Sequence, residues 1–273
     1  APMAETKTEA AAPGAIADFE KSLDELETLV SRMEKGDLTL EDTGGIALAW
    51  GDMDTVINRV LPMIARREGK LGDLLADGSV AAAKKIGRGL EYTVHSKGLE
   101  APMHDPRGGG HGMALTYAVS PRGACHVADP MLFVEMGARY YPEIGFDFVL
   151  EPKTGENKAE AAVTSVALGA IENSACFCQF ADAEVTIPDW LALFNTVAGY
   201  GWEAEDMLAA GRRVFFLKRL INYRYGLTAA DDALTPRMLE PGKGGEAEGS
   251  QVDLEAMKSR FYELMDIDPV RGI

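Results

Sequence analysis

The chain has 273 residues, of which 47% are hydrophobic and 26% charged, a composition typical of a globular protein with a substantial core. Its formal net charge of −16 at pH 7 argues against a main body that binds nucleic acid, because an acidic surface repels phosphate backbones. Three cysteines are too few for a disulfide framework in a chain of this length, and no apolar run approaches the ~20 residues that a membrane span needs.

The N-terminal region divides into two predicted segments. Residues 1–14 are rich in Ala, Thr, Glu and Pro, and we expect a disordered leader. This leader has no basic stretch followed by an apolar core, so it differs from a secretory signal and we expect a cytoplasmic protein. Residues 15–36 have apolar side chains at helical spacing and end at a glycine. The predicted amphipathic helix has a narrow apolar stripe that would suit a coiled coil, a partner helix or a core: Phe19, Leu23, Leu26, Leu29, Val30 and Met33.

The rest of the chain is predicted to be helical, with residues 37–273 forming the main body. Helical spacing and glycine stops mark seven further stretches. In chain order these are MDTVINRVLPMIARREG, VAAAKKIGRG, DPMLFVEMGARYY, PKTGENKAEAAVTSVALGAIENSA, DWLALFNTVAG, WEAEDMLAAGRRVFFLKRLINYRYG and LEAMKSRFYELMD. We expect Pro62 to kink the first of them. Alternating strand and helix units are absent, so the predicted fold class is mainly α.

The longest of these helices has two chemically different sets of residues after its midpoint. We interpret them as a packed apolar face and a basic rim that is solvated or faces a ligand. The apolar set is Val214, Phe215, Leu217, Leu220 and Ile221, and the basic set is Arg212, Arg213, Lys218, Arg219 and Arg224.

A glycine-rich stretch from His104 to His126 concentrates groups that could take part in chemistry. We expect it to be mostly loop, with a short strand or helix at Met113–Val119. It contains three of the four histidines, two arginines, an aspartate and a cysteine. Arginine suits phosphate or carboxylate recognition, and histidine can transfer a proton near neutral pH. The alternative is a long surface loop. A zinc site is disfavoured, because no structural zinc spacing fits the four candidate ligands His104, His111, Cys125 and His126.

Cys176 and Cys178 stand one residue apart just after the long alanine-rich helix. They are either two buried cysteines at a helix end or one ligand beside one packing residue. An iron–sulfur cluster needs four cysteines, and three are present. Composition leaves these alternatives open.

From about Lys35 to the end, the chain resembles the C-terminal half of the tungsten-dependent aldehyde:ferredoxin oxidoreductases. Five stretches carry the resemblance in the family's order: LTLEDTGGIALAWGD, ARREGKLGDLLADG, HSKGLEAPMHDPRGGGHGMALTYAVSPRGACH, NSACFCQF and RVFFLKRLINYRYGLTAADDALTPRMLEP. The resemblance implies helical domains that close over a tungsten bound by two pterins beside a 4Fe–4S cluster. It also implies oxidation of an aldehyde to a carboxylate, with ferredoxin as the electron acceptor.

One motif of that family has the pattern Asp-x-x-Gly-Leu-Cys-x-Phe. The resemblance puts Asn173 at the Asp position, Cys176 at Gly, Phe177 at Leu and Cys178 at the cluster ligand. Residues Asn173, Ser174, Ala175, Cys176 and Phe177 would then line a pterin. Asn173 lacks the carboxylate that accepts hydrogen bonds from pterin N–H groups in the family. The carboxylate of the neighbouring Glu172 is a possible substitute. Cys176 adds a side chain where the family has none. His126, in the RGACH stretch, corresponds to the histidine near the metal and would be the catalytic residue.

The family's pterin-binding sheet domain, its CxxCxxxC ligands and its first pterin motif have no counterpart here. We therefore expect the isolated chain to lack the complete cofactor unless a second chain or a homodimer mate supplies the missing part. Residues 16–42 also resemble the start of the exodeoxyribonuclease VII small subunit. Two alternatives to an enzyme part follow, a non-catalytic helical interaction subunit and an inactive remnant of the oxidoreductase.

Overall fold

The computed structural model describes residues 46, 49, 51–147, 149–181 and 185–273. The predicted leader and the predicted helix at residues 15–36 lie outside them. The chain divides into two compact units, residues 1–82 and residues 83–273. The predicted class is confirmed, because helices account for most of the described residues and the strands are two short segments.

The helices are α1 Met53–Thr55, α2 Leu61–Ala65, α3 Gly69–Leu75, α4 Ser79–Ile86, α5 Pro106–Gly109, α6 His111–Val119, α7 Met131–Glu135, α8 Lys158–Ser174, α9 Ile187–Ala198, α10 Ala204–Arg224, α11 Pro236–Leu239 and α12 Leu254–Met265. The strands β1 His95–Ser96 and β2 Leu99–Glu100 pair antiparallel, with Ser96 opposite Leu99. Within the described part of the chain, no helix is both long enough and apolar enough to cross a bilayer.

In the first unit, α1 and α2 form one helical stretch interrupted by a π-helical turn at Val56–Val60. The N–H of Leu61 bonds to the carbonyl of Val56, one residue further back than in an α-helix. Pro62 follows at once and has no N–H to donate, which favours such a change of hydrogen-bonding pattern. The π-helical turn thus lies just before Pro62, where a kink was expected.

In the second unit, α8 and α10 pack closely against each other. A side-chain carbon added at Gly211 of α10 would lie 2.0 Å from the carbonyl oxygen of Ala167 in α8. The two backbones therefore meet where neither residue has more than a methyl group. Most of α8 is buried, which explains why small residues are so frequent in it.

Two apolar clusters use different faces of α8. Ala159, Ala162 and Val166 belong to the first cluster, and Leu168 and Ile171 to the second. Helical periodicity places these two sets on roughly opposite sides of the helix. Their main partners from other elements are Leu115, Phe215, Met257 and Phe261 in the first cluster, and Tyr141, Ile187, Trp190 and Met207 in the second.

Helix α6 lies where a short strand or helix was expected at Met113–Val119. It begins two residues earlier, at His111, and every residue in it is buried. Its N-terminus is capped by Glu135 of α7, which accepts hydrogen bonds of 2.8 Å from the backbone N–H groups of both Gly112 and Met113. The ammonium of Lys158 also contacts Glu135, and both side chains are fully buried. The alternative of a long surface loop is therefore wrong for residues 111–119.

Helix α10 corrects the predicted division into apolar and basic faces. Leu217, Leu220 and Ile221 are 57%, 45% and 47% exposed, whereas Arg219 is 5% exposed. The guanidinium of Arg219 lies 2.5 Å from Oδ2 of Asp232 and donates at 2.7 Å to the carbonyl of Val119. Burial of this arginine follows from its counter-charge and carbonyl partners, which residue type alone does not reveal.

Candidate functional site

His126 lies in the loop between α6 and α7 and is half-buried. Its imidazole is in contact with that of His104, with ring centroids 4.8 Å apart and an angle of 53° between the rings. Burial lowers the pKa of His126 below its usual value, and the positive charge available to His104 lowers it further. The imidazole of His126 is therefore biased toward its neutral form, which can accept a proton.

The loop that carries His126 is fixed on α8 by Asp129. Its carboxylate accepts from the N–H of Met131 at 3.0 Å and from Oγ of Ser165 at 3.1 Å. Burial raises the pKa of Asp129 to about 6. A side-chain carbon at Gly169 would lie 2.5 Å from the carbonyl oxygen of Ala128, so the loop rests directly on the backbone of α8.

The other candidates between His104 and His126 have structural partners. Nε2 of His111 lies 2.9 Å from Oγ of Ser250, and this histidine is buried. Arg107 pairs with Asp105 at 2.7 Å and donates to the carbonyl of Glu240, beside α11. Cys125 is buried. Among the described residues, no three His, Cys, Asp or Glu side chains are arranged to hold a metal, so the zinc alternative gains no support.

The stretch after α8 exposes both of its cysteines. The helix ends at Ser174, Cys176 has a φ of +56°, and a short 3₁₀ turn begins at Gln179. Cys176 and Cys178 are free and exposed, so the alternative of two buried cysteines is wrong, as is that of one packing cysteine. Two exposed thiols at a helix end are accessible to a ligand or a partner.

The backbone at Cys176 explains what a glycine would contribute there. A φ of +56° is the left-handed region, which costs a residue with a side chain about 1–2 kcal/mol and costs glycine little. The Cys176 side chain is accommodated by pointing to solvent. The loop therefore keeps its course with a cysteine at this position, at some cost in stability.

Asn173 joins the end of α8 to the loop of His126. Its Nδ2 donates to the carbonyl of Gly169 at 2.6 Å and to that of Ala128 at 3.2 Å. Ser174 donates its hydroxyl hydrogen to the carbonyl of Ala170 at 2.7 Å. Because these donors are used within the protein, both side chains can offer a ligand only acceptor oxygens. The structure thus brings together two parts of the predicted site that lie 45 residues apart between Ala128 and Asn173.

The remaining side chains of this stretch serve the fold. Phe177 packs edge-on against Trp190 with ring centroids 4.9 Å apart. Ala175 is exposed and can offer only its backbone. Glu172, considered as a substitute acceptor for Asn173, is instead buried. Adjacent helical residues do not face each other, so its carboxylate is not presented beside Asn173.

Gln179 is a polar residue of the site that the sequence reasoning missed. Its backbone carbonyl accepts from the guanidinium of Arg139, which also donates to the hydroxyl of Tyr141 at 2.8 Å. The side-chain amide is buried, and neither its oxygen nor its nitrogen meets a hydrogen-bond partner in the part of the protein that the structure describes. A buried amide of this kind, directly after Cys178, has unused capacity for a polar ligand. Its position after the cysteine was the available signal.

A cleft of about 120 Å³ opens beside Asn173. Arg122 and Lys218 bring two cations to its lining, and Asp129 lies at the same place. Both cations are exposed. In a chain with a net charge of −16, this cleft is a local exception that suits an anionic group.

A short similarity to a different kind of protein was also found. The exodeoxyribonuclease 7 small subunit of Thioalkalivibrio sulfidiphilus is 58% identical over 43 residues, which cover 14% of this chain and 51% of that protein. This agrees with the predicted short resemblance.

The comparisons that cover most of the chain point to one family. Tungsten-containing aldehyde ferredoxin oxidoreductases from Pyrococcus furiosus and Thermococcus kodakarensis are 34% and 32% identical over 244 and 245 residues. Each alignment covers 87–88% of this chain and 38% of the relative, so the chain spans about two fifths of their length. The profile described as "Aldehyde ferredoxin oxidoreductase, domains 2 & 3" matches residues 26–273. The chain therefore belongs to the aldehyde ferredoxin oxidoreductase family and corresponds to its domains 2 and 3.

Proposed function

We propose that this chain supplies the C-terminal part of a tungsten-dependent oxidoreductase that converts an aldehyde to a carboxylate in the cytoplasm. The observation that carries the proposal is the family match over residues 26–273, together with an exposed Cys178 after α8. When bound, a tungstopterin would take two electrons from the aldehyde and a 4Fe–4S cluster would deliver them to ferredoxin. The residues of this chain would bind, orient and exchange protons around these groups.

Cys178 is proposed as the one cluster ligand of this chain. Its thiol is free and exposed, as a thiolate ligand must be before a cluster is assembled. The buried amide of Gln179, which meets no hydrogen-bond partner among the described residues, directly follows it. Such an amide could donate to a cluster sulfur or to a pterin, and hydrogen bonds of this kind tune reduction potentials. The donor set at this position fits the proposed role.

The segment from Asn173 to Phe177 is proposed to contact one pterin. Asn173 would offer its carbonyl oxygen, because its N–H groups already bond to Gly169 and Ala128. Ser174, Ala175 and Cys176 would contribute backbone, and Phe177 anchors the segment through Trp190. A neutral acceptor at Asn173 forms weaker hydrogen bonds than a carboxylate, so we expect looser pterin binding than with aspartate.

His126 is proposed as the proton acceptor of the reaction. Its lowered pKa keeps the imidazole neutral near pH 7, and a neutral imidazole has a lone pair that can take a proton. The exposed cations Arg122 and Lys218 beside Asn173 suit the carboxylate product or an anionic group of the cofactor.

The other cluster ligands and the second pterin contact are proposed to come from polypeptide equivalent to the rest of the relatives. A second chain or a homodimer mate could supply it. Ferredoxin and an aldehyde are the further partners of this proposal, which the names of the relatives suggest.

Metal analysis with visible absorption tests the proposal. Tagged chain is purified anaerobically both alone and from its own cells together with the polypeptides that accompany it. We expect tungsten, iron and a broad iron–sulfur absorption in the assembled complex, with little of either metal in the chain alone. A metal-free complex would refute the proposed function, whereas stoichiometric tungsten in the chain alone would refute the need for a partner.

A further inference from the structure

We propose that His104 is a positioning residue that acts through His126, holding its imidazole neutral because the two rings share one site for positive charge. The role of this pair in aldehyde oxidation rests on the proposed function. The pairing itself is a property of the chain and can be measured without any cofactor.

The geometry carries the inference. The ring centroids of His104 and His126 are 4.8 Å apart and the rings are tilted by 53°, so the two imidazoles are in direct contact. Two imidazolium ions in such contact repel each other, so a positive charge on His104 disfavours protonation of His126. Both residues are half-buried, which weakens the screening that solvent provides.

The other charged groups nearby are engaged elsewhere. The carboxylate of Asp105, next to His104 in the chain, contacts the guanidinium of Arg107 at 2.7 Å and accepts from its backbone N–H at 3.0 Å. Asp129, in the loop of His126, is directed to Met131 and Ser165. Among the described residues, His104 is the side chain whose charge lowers the pKa of His126.

The proposed reaction releases protons, and a neutral His126 could accept one of them. An aldehyde and a water molecule give a carboxylate, two electrons and three protons, with the electrons leaving through the proposed cluster to ferredoxin. A protonated His126 could accept none of these protons, whereas a neutral one forms an N–H bond with its lone pair and later releases the proton to solvent. His104 would thus extend the working range of His126 to lower pH.

The test is an NMR titration of the histidine rings in the full chain without cofactor. The variants His104→Phe, His104→Glu and His104→Lys keep a bulky side chain over His126 and change the charge. We expect the pKa of His126 to rise in His104→Phe, to rise further in His104→Glu, and to stay low in His104→Lys. The same pKa in all four proteins would overturn the proposal, because burial alone would then account for the shift.

A second measurement compares the salt dependence of the unmodified chain with that of His104→Phe. Raising the salt from ~0.02 M to ~0.5 M shortens the Debye length to a few ångströms and screens the net charge of −16 in both proteins. In the unmodified chain it also screens the repulsion between the two rings, so the pKa of His126 should move further upward, or less far downward, than in His104→Phe. An equal response of the two proteins would contradict a charge effect. His111, which bonds to Ser250, is the internal control for intact structure, and His126→Gln assigns the signal. An assembled complex without cofactor would count against the proposed function, but it would not change the histidine titration, which is measured on the chain without cofactor.

Discussion

The buried pair of Lys158 and Glu135 gives a sharp stability prediction. Both side chains are fully buried, and Glu135 also caps α6 through the N–H groups of Gly112 and Met113. Lys158→Met keeps most of the side-chain volume and removes the ammonium, which leaves a buried carboxylate with two amide donors. Removing one partner of a buried ion pair costs about 3–5 kcal/mol, a large part of the 5–15 kcal/mol that stabilises a typical domain.

The cost should depend on pH in a defined direction. Burial raises the pKa of Glu135 above its ordinary 4.5, although Lys158 and the two amides oppose this. A carboxyl with a raised pKa stabilises the folded state below its unfolded pKa, and this contribution is lost as the pH rises through its folded pKa. In Lys158→Met the pKa rises further, because the opposing positive charge is gone. Protonation then relieves the unpaired charge, so the deficit should be smaller at about pH 5 than at about pH 8.

Urea unfolding followed by far-UV circular dichroism at both pH values measures the effect. The matched control is Lys84→Met on α4, where the lysine is exposed and the change should stay within about 0.5 kcal/mol. A loss below about 1 kcal/mol for Lys158→Met, or one that is equal at both pH values, would refute the reasoning.

Three further predictions concern the packing of α8 and the stretch that follows it. Gly211→Ala should destabilise the protein by about 1–3 kcal/mol or more, because the new methyl group meets backbone. Gly155→Ala should cost less, because its methyl group meets a flexible methionine side chain, and thermal unfolding of the two variants compares them. Cys176→Gly should stabilise the protein by about 0.5–1 kcal/mol, because glycine adopts the left-handed backbone at little cost. Ala175→Gly next to it should not stabilise the protein, and a gain in both variants would show that the φ of residue 176 is not the cause. Thiol titration with Ellman's reagent should show two fast thiols in the native chain, with Cys125 reacting only after unfolding, and three equal rates would contradict the burial.

Periodicity predicted the long helices well. Helices α8, α10 and α12 have regular apolar spacing and clear stop signals, and each lies within its predicted stretch. Helix α9 begins two residues before its predicted stretch, at Ile187. For helix α6 the sequence predicted a short strand or helix at Met113–Val119 without deciding between the two, because a segment that is buried on all sides has no polar face from which a period could be detected. The predictions for residues 1–36 stay predictions.

The candidate site, like the fold, was predicted where a local sequence pattern identifies a residue and missed where tertiary contacts decide. The resemblance named Asn173, Cys178 and His126 because local motifs identify them one at a time. The hydrogen bond from Asn173 to Ala128 and the buried amide of Gln179 depend on how α8 packs against the loop after α6. No local pattern encodes those tertiary contacts, and the exposure of Leu217, Leu220 and Ile221 was mispredicted for the same reason.

The central claim is that Cys178 contributes a ligand to an iron–sulfur cluster and that Cys176 does not. The most direct measurement is the iron content and the low-temperature EPR spectrum of the assembled, dithionite-reduced complex for two matched variants, Cys178→Ala and Cys176→Ala. We predict that Cys178→Ala loses iron or changes the cluster signal, while Cys176→Ala keeps the iron and signal of the unmodified complex. Full iron and an unchanged signal in Cys178→Ala would contradict the account.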